Sequence, residues 1–538
     1  MYQLIEGSEP LPLTPELTTF FEWARSRGVR WDKIEYPVLF PPGYIGTRAT
    51  DTIYPNEVII SAPNSALFTT ETVKRSDLAN LISQCPDLFE ETNSYYDYML
   101  LITYILWEKN KGNTSEWAPF LSVQPKNPET IQDWSPEELK ELQDPDLEYD
   151  SEKHFTYHHY AYTLWRQNLS KFEEFPQDLL TFKNFIWAWR LIGTRTFGKF
   201  VPHVTFFPVG EFLNHDNTET YYCYVAPDET PDSSGRYNGY EDYEDHDDRI
   251  CERDLLIRYS YHILVEANQN LAPLEDTDIY KEIQTEAWTL DRKDEIENRR
   301  KNDWKPLSDT LIEGDNKCMQ MVAGPTEKYE KGSEIYMSYG RYSNRQLLCV
   351  YGFALRDNKY NYARIKVKFE RFTKNPAIVE FLEKKEINEL IPFKLKHHEL
   401  CLDIFRIIRA LNWDSSKPKE AFFNPASLNY EVSVLNHALS ILQAELAEFP
   451  TTLEADFSLF DQVSTPHFYF ALVYRSERKK IIHSHINLIN ICIVVLTRMI
   501  EGQPLSQALE IVEDFENDIE YPNNRKVLSS YISTFQFN

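Results

Sequence analysis

Residues 332–353 read GSEIYMSYGRYSNRQLLCVYGF, and the organisation of the whole chain is built around this stretch. Ser333 to Tyr339 mixes Ile, Tyr and Met with a few polar residues, the composition of a short strand. Gly340 ends that strand, Ser343 or Asn344 can cap a helix, and Asn344 to Tyr351 has the length of a turn or two of it. Taken alone, this is a strand–turn–helix unit with core tyrosines.

Two further stretches stand upstream. Pro208-Val-Gly-Glu-Phe-Leu-Asn-His215 ends in an amide beside an imidazole, and Gly43-Tyr-Ile-Gly-Thr-Arg-Ala49 lies near the start. An amide and the backbone groups beside it can present both donors and acceptors. Glycine lets backbone approach a ligand closely. Between these stretches, Thr181 to Ile192 places Phe182, Phe185, Ile186 and Trp189 at helical spacing and leads into Gly193-Thr-Arg-Thr-Phe-Gly198. Around them, Phe20 to Gly28 reads as an amphipathic helix stopped by glycine. Val38–Phe40, Ile45–Ala49 and Val58–Ser61 read as strands, with a turn at Tyr54–Glu57 and a stop at Pro63.

In this order the stretches resemble the SET-domain protein methyltransferases, specifically the split-SET class typified by plant Rubisco lysine methyltransferases and the actin-histidine methyltransferase. Gly43 to Thr69 runs beside the family pattern without a gap. Ser115-Glu-Trp-Ala-Pro-Phe-Leu121 is similar to its Ser-x-Trp-x-Pro-Tyr signature, Arg195 falls on the arginine of its Ser-Arg-x-Phe motif, and Lys199 falls on a second basic position. The resemblance implies S-adenosylmethionine as cofactor, bound by Gly43, Tyr44, Ile45, Arg195, Glu211, Asn214, His215, Tyr351 and Phe353. It implies Tyr339 and Tyr351 as the catalytic pair and no metal. Three departures stand out. Tyr44 replaces a usual glycine, Glu211 replaces the aspartate of Pro-x-x-Asp-x-x-Asn-His, and well over one hundred residues separate His215 from Tyr339.

Methyl transfer is an in-line displacement that needs alignment, exclusion of water and a neutral acceptor nitrogen. A free phenol has a pKa near ~10, so Tyr339 is expected to orient and polarise rather than to remove a proton. The histidine-methylating branch has a small residue at the second tyrosine position, so Tyr351 points to a protein lysine as acceptor. Protein histidine methylation, or a SET-derived scaffold without turnover, stand as alternatives. No Gly-x-Gly-x-x-Gly after a strand, phosphate loop or Gly-x-Ser-x-Gly elbow is present.

The fold class expected is α+β: a mainly-β SET domain interrupted by a helical insert, then an all-α C-terminal domain. The divisions are 1–80 and 181–356 for the SET domain, 81–180 for the insert and 357–538 for the helical, substrate-binding-like domain. An acidic surface insertion at about 227–310, helical around Leu255 to Glu266, lies within the SET domain; its rival reading is a docking arm for a basic segment. Within the insert, Tyr95, Tyr98, Met99, Ile102, Ile105 and Leu106 make one apolar helical face. Trp117, and His154, His158 and His159, read as packing or solvated residues rather than ligand or metal groups.

Composition bounds the rest. The 538 residues are 42% hydrophobic and 14% aromatic, which describes a folded protein of more than one domain. A net charge of −28 disfavours nucleic acid and anionic membranes and favours a basic protein partner. Seven scattered cysteines without a Cys-x-x-Cys pair fit a reducing compartment. The start has no signal-peptide pattern, and Ile486 to Ile500 reads as a buried helix too short and too polar for a membrane span. The expectation is a soluble monomer of the cytoplasm, with the nucleus as a second compartment.

Overall fold

The computed structural model describes residues 2–41, 43–89, 96–198, 204–225, 317–384, 390–397, 399–413, 425–463, 465–512, 524–533 and 535. The acidic stretch at 227–310 with its expected helix, and also Tyr95, Lys199 and Cys251, lie outside these residues; His154 lies in a helix, but its side chain is outside them. The described residues form two compact units. The first draws on Met1–Pro136, Pro145–Tyr243 and Trp304–Phe353, the second on Glu137–Asp144 and Ala354–Asn538.

The first unit opens with helix α1 (Pro15–Ser26). Thr14 caps it by accepting from the Leu17 N–H, Pro15 occupies the first turn, and Gly28 comes after it with φ +90°. Strands β1 (Ile34–Phe40) and β2 (Tyr44–Ala49) form an antiparallel pair, and β3 (Val58–Pro63) begins a second sheet. Helix α2 (Tyr96–Asn110) is buried from Met99 to Leu106 without a gap, so the expected single apolar face is an entirely enclosed helix. It is wrapped by α3 (Pro145–Leu169) and α4 (Phe182–Arg195): the Trp165 indole donates to Thr103 Oγ1 at 3.0 Å, and Tyr98 lies 4.6 Å from Trp189 between ring centroids. The deepest residues of α4 are Phe185, Ala188, Leu191 and Ile192, a stripe shifted from the expected one; Phe182, Ile186 and Trp189 are half-buried.

Packing accounts for Trp117, His158 and His159 of the insert. Trp117 sits among Trp23, Phe68 and Phe120 with centroids 4.9–6.1 Å apart. His159 stacks on Phe182 at 3.9 Å, and His158 tilts against Trp189.

After α4 come β4 (Asn214–His215), β5 (Tyr221–Val225), β6 (Cys318–Val322), β7 (Tyr336–Met337) and α5 (Asn344–Tyr351). Strand β6 is central in an antiparallel sheet, with Met319 opposite Ala62 of β3 and Tyr224 of β5. Strand β7 is shorter than the expected Ser333–Tyr339 run because it pairs, in parallel, only with Asn214 and His215. Ser343 is the cap of α5, in a reciprocal box with Gln346, and Gly352 closes the helix with φ +78°.

The second unit departs from the all-helical expectation: it contains an antiparallel hairpin, β8 (Tyr362–Lys368) against β9 (Leu390–Lys396). Ala363, Ile365 and Val367 face Leu395, Phe393 and Ile391 across the ladder, all buried, while lysines and arginine take the alternate positions. Helices α6 (Leu402–Leu411), α7 (Leu428–Ala447), α8 (Pro466–Ile500) and α9 (Asn524–Ser533) complete it. Leu435 and Leu442 are buried; Leu439 and Leu446 pack at the margin.

Among the described residues, α8 alone has the length and apolarity to cross a membrane, judged by those measures only, and 61% of its most apolar window is buried within the unit. Its N-terminal half buries charge instead. Asp456 accepts from Arg475 Nε at 2.9 Å and Lys479 Nζ at 2.6 Å, and Arg475 also pairs with Glu141 at 2.5 Å. The Tyr474 hydroxyl donates to Asp144 at 2.6 Å. Residues 137–144 therefore join the second unit through buried polar bonds, although the chain around them belongs to the first.

Removing one member of a buried ion network leaves uncompensated charge and costs about 3–5 kcal/mol. Asp456→Ala should raise amide exchange across α7 and α8 by that free energy, read by hydrogen exchange of the full chain. A change below about 1 kcal/mol, the value of a solvated pair, would contradict this account.

Candidate active site

The parallel pair β4–β7 brings two motifs distant in sequence to one place, with Tyr336 opposite Asn214 and Met337 opposite His215. Just beyond the pair, the Tyr339 N–H donates to His215 Nδ1 at 3.1 Å. The same nitrogen lies 3.3 Å from the Met337 carbonyl, so the His215 ring sits between the backbone of Met337 and that of Tyr339. The Tyr339 hydroxyl donates to the Leu213 carbonyl at 3.0 Å, and its ring lies over His215 with centroids 5.0 Å apart. The phenol is thus pinned at both ends. Burial pushes it up to about 12; the Glu334 and Glu211 carboxylates add to the rise and Arg195 opposes it. At neutral pH it is a fixed hydroxyl, not a base.

Tyr339 faces a cavity of about 290 Å³. Arg195, Glu211 and Tyr351 line it with Tyr339, joined by Tyr98, Tyr222 and Tyr342, which the motif reading missed. Tyr351 lies 4.9 Å from Tyr339, and Phe353 lies 6.4 Å from Tyr339 and 6.2 Å from His215. Phe353 and His215 support the Tyr339 ring and are not among the lining residues.

Glu211 sits in a 3₁₀ turn, Gly210–Phe212, entered through Val209 at φ +72°. A β-branched residue held there costs on the order of 1–3 kcal/mol, so the surroundings must enforce this turn. Phe212 stacks flat on Tyr36 at 4.1 Å, and Arg195 Nη1 donates to the Glu211 carbonyl at 3.3 Å. The carboxylate accepts from the Gln124 amide at 2.8 Å through Oε1; Oε2 is buried and has no hydrogen-bond partner among the described residues. Burial pushes this carboxyl up to about 7, with Arg195 and Gln124 opposing.

The remaining expected residues form a second cluster. Asn214 Nδ2 donates to the Ile45 carbonyl at 3.0 Å and to Glu334 Oε1 at 2.8 Å. Both partners are acceptors, so the nitrogen must face them and only the amide oxygen remains free for a ligand. The Asn214 side chain therefore offers an acceptor, and a donor to pair with it would have to come from the backbone beside it. Glu334 also receives the Tyr44 hydroxyl at 2.6 Å and the Tyr336 hydroxyl at 2.7 Å. A side chain on Gly46 would stand 2.3 Å from Glu334 Oε1, which explains the glycine there. Beside Gly43, at φ +134°, the space a side chain would enter is open for 4 Å. Glu334 and Tyr336 went unread as site residues, although their i, i+2 spacing in an expected strand places them on one side.

No family model matches the chain. It is similar to the Pisum sativum chloroplastic ribulose-1,5-bisphosphate carboxylase/oxygenase large subunit N-methyltransferase, 24% identical over 212 residues, which is 39% of this chain and 41% of the relative. It is 26% identical over 130 residues to the Drosophila melanogaster actin-histidine N-methyltransferase, 24% of this chain and 22% of the relative. The matches thus span about two fifths or less of these relatives' length. Solved structures of Rubisco LSMT, one with sinefungin and monomethyllysine and one with AdoMet, superpose with TM-scores of 0.53 and 0.51 at 16% and 15% identity, each covering 90% of this chain and 94% of that one. The fold is that of these SET-domain structures, and the sequence resemblance to SET-domain methyltransferases stands.

A carboxyl held neutral in the fold but ionised on unfolding lowers stability as pH rises. For Glu211 the loss begins near its ordinary value of 4.5 and is complete near 7, amounting to about 3 kcal/mol. Glu211→Gln should remove that slope between pH 5 and 7 in denaturant titrations. An unchanged slope would place the raised carboxyl elsewhere.

Proposed function

We propose that this chain is an S-adenosylmethionine-dependent protein N-methyltransferase whose acceptor is a lysine side chain. The observation that carries this reading is the tyrosine-lined cavity in which Tyr339 is fixed by its backbone N–H on His215 and its hydroxyl on the Leu213 carbonyl, next to the edge formed by Gly43 to Ile45 and Asn214. The similarity to N-methyltransferases and the fold shared with an AdoMet-bound structure support it.

The residues fit the cofactor on their own chemistry. The edge leaves open space at Gly43, an acceptor oxygen on Asn214 and a buried carboxylate, Glu334, that forms no ion pair among the described residues. A cationic ligand suits such a site. Gly43, Tyr44, Ile45, Asn214 and His215 would hold it, with Arg195, Tyr351 and Phe353 toward the cavity. When bound, S-adenosylmethionine supplies a methyl group on a sulfonium already activated to leave.

The chain's own part is positional. Tyr339 keeps its proton, donated to the Leu213 carbonyl, and its oxygen lone pairs can accept from an N–H of the acceptor amine. The rings of Tyr351 and Tyr342 close the wall and exclude water, which favours a neutral amine over an ammonium. Arg195 and Glu211 set the charge at the other side. The net charge of −28 supports a basic protein segment as the partner.

A histidine acceptor is the second reading, favoured by the similarity to the actin-histidine enzyme. Tyr351 weighs against it, because a ring at that position narrows the cavity.

Labelled S-adenosylmethionine with proteins of the native cell should mark a band with wild type, and Tyr339→Phe should lower the label about a hundredfold or more. The fold should hold, since one hydroxyl hydrogen bond is worth only about 1 kcal/mol. Undiminished transfer by Tyr339→Phe would overturn the assignment of Tyr339, and a label mapped to histidine would replace lysine as acceptor.

A further inference from the structure

Glu334 is 1% exposed and stands where β2, β4 and β7 converge. Its oxygens are divided by direction: Oε2 takes the two phenols, Tyr44 and Tyr336, and Oε1 takes the Asn214 amide. The phenols approach each other to 3.4 Å, held together by the oxygen they share. Burial raises both well above the ordinary phenol range, so both keep their protons and donate. Burial also raises Glu334, while the three donors pull it back. Among the described residues no cation neutralises this carboxylate, so its charge is stabilised by these donors alone.

Tyr44 does not end in this core. It is 38% exposed, stacks on Phe40 at 5.8 Å between centroids, and belongs to the same strand as the Ile45 carbonyl that receives Asn214. One carboxylate thus ties an exposed side chain of β2, the amide of β4 and a phenol of β7. The Asn214 nitrogen is consumed on both its bonds, which turns its oxygen outward. Without Glu334, that amide has one acceptor fewer and is free to rotate.

We propose that Glu334 and Tyr44 are positioning residues for the cofactor. Glu334 orients the Asn214 amide with its oxygen toward the ligand, and Tyr44, where a glycine is usual, latches the 43–46 segment to that carboxylate. This rests on the methyltransferase reading and gives two residues of its cofactor edge an orienting role. The Tyr44 ring is then a functional part of the edge rather than an obstruction.

The test is calorimetric titration of the full chain with S-adenosylmethionine, alongside steady-state kinetics. Tyr44→Phe removes one charge-assisted bond from a partly exposed side chain and should weaken binding about tenfold. Glu334→Gln sets an amide against three donors and should weaken it more. KM for the cofactor should rise in parallel while kcat at saturation stays within about twofold, a split that general destabilisation does not produce. Glu334→Asp, which keeps the charge but shortens the reach, should recover only part of the affinity. Wild-type binding with both Tyr44→Phe and Glu334→Gln unchanged within twofold would overturn the positioning role and leave the methyltransferase reading intact. Absence of binding by wild type would overturn both. Should Glu334→Gln fail to fold, Tyr44→Phe decides.

Discussion

Two residue pairs in parallel register, Tyr336 with Asn214 and Met337 with His215, are the constraint on which the site depends. The pairing is too short to be stable as a sheet, and a parallel pair of this kind requires a long crossover. It is held from outside: the Tyr339 N–H reaches back to His215, the Tyr339 hydroxyl reaches to Leu213, and Glu334 ties Asn214 to β2. Each bond uses a group at the end of one motif to satisfy a group in another. The cavity and the strand edge beside it are the two sides of this junction.

Three buried carboxylates show how differently the fold treats charge. Asp456 is surrounded by Arg475 and Lys479 and is a structural centre of the second unit. Glu334 has no cation among the described residues and three directed donors, an arrangement that fixes orientation. Glu211 has one amide, an arginine at its backbone and an unbonded oxygen, and is a group that burial moves to neutral pH. An isolated buried charge is the costliest of the three conditions. Its place at the wall of the tyrosine cavity, in a turn entered through a strained valine, puts that cost where the chemistry is proposed to occur.

Local signals carried much of this in the sequence. Gly340 and Ser343 mark the approach to α5, the helix read over Phe20 to Gly28 is the later part of α1, which begins at Pro15, and the strand-like stretch Ile45–Ala49 falls within β2. The motif residues Arg195, Glu211, Tyr339 and Tyr351 converge on one cavity. The features that could not be read depend on partners distant in sequence. Gln124 meets Glu211, Glu334 meets Tyr44 across 290 positions, and residues 137–144 leave their neighbours to bond α8. The hairpin β8–β9 was legible and went unread: Tyr-Ala-Arg-Ile-Lys-Val-Lys alternates cleanly, but the helical periods on either side of it dominated the region. For α2, one-faced amphipathicity was the wrong template because helices and aromatic rings enclose it on all sides.

In the proposed transfer the strand edge and the tyrosine cavity serve one ligand pair, cofactor on one side and acceptor on the other. A crystal structure of the full chain with S-adenosylhomocysteine tests it most directly. The ligand is expected against Gly43 to Ile45 and the Asn214 oxygen, with its sulfur directed into the cavity lined by Tyr339 and Tyr351. Ligand bound elsewhere, or with its sulfur turned away from Tyr339, would contradict it.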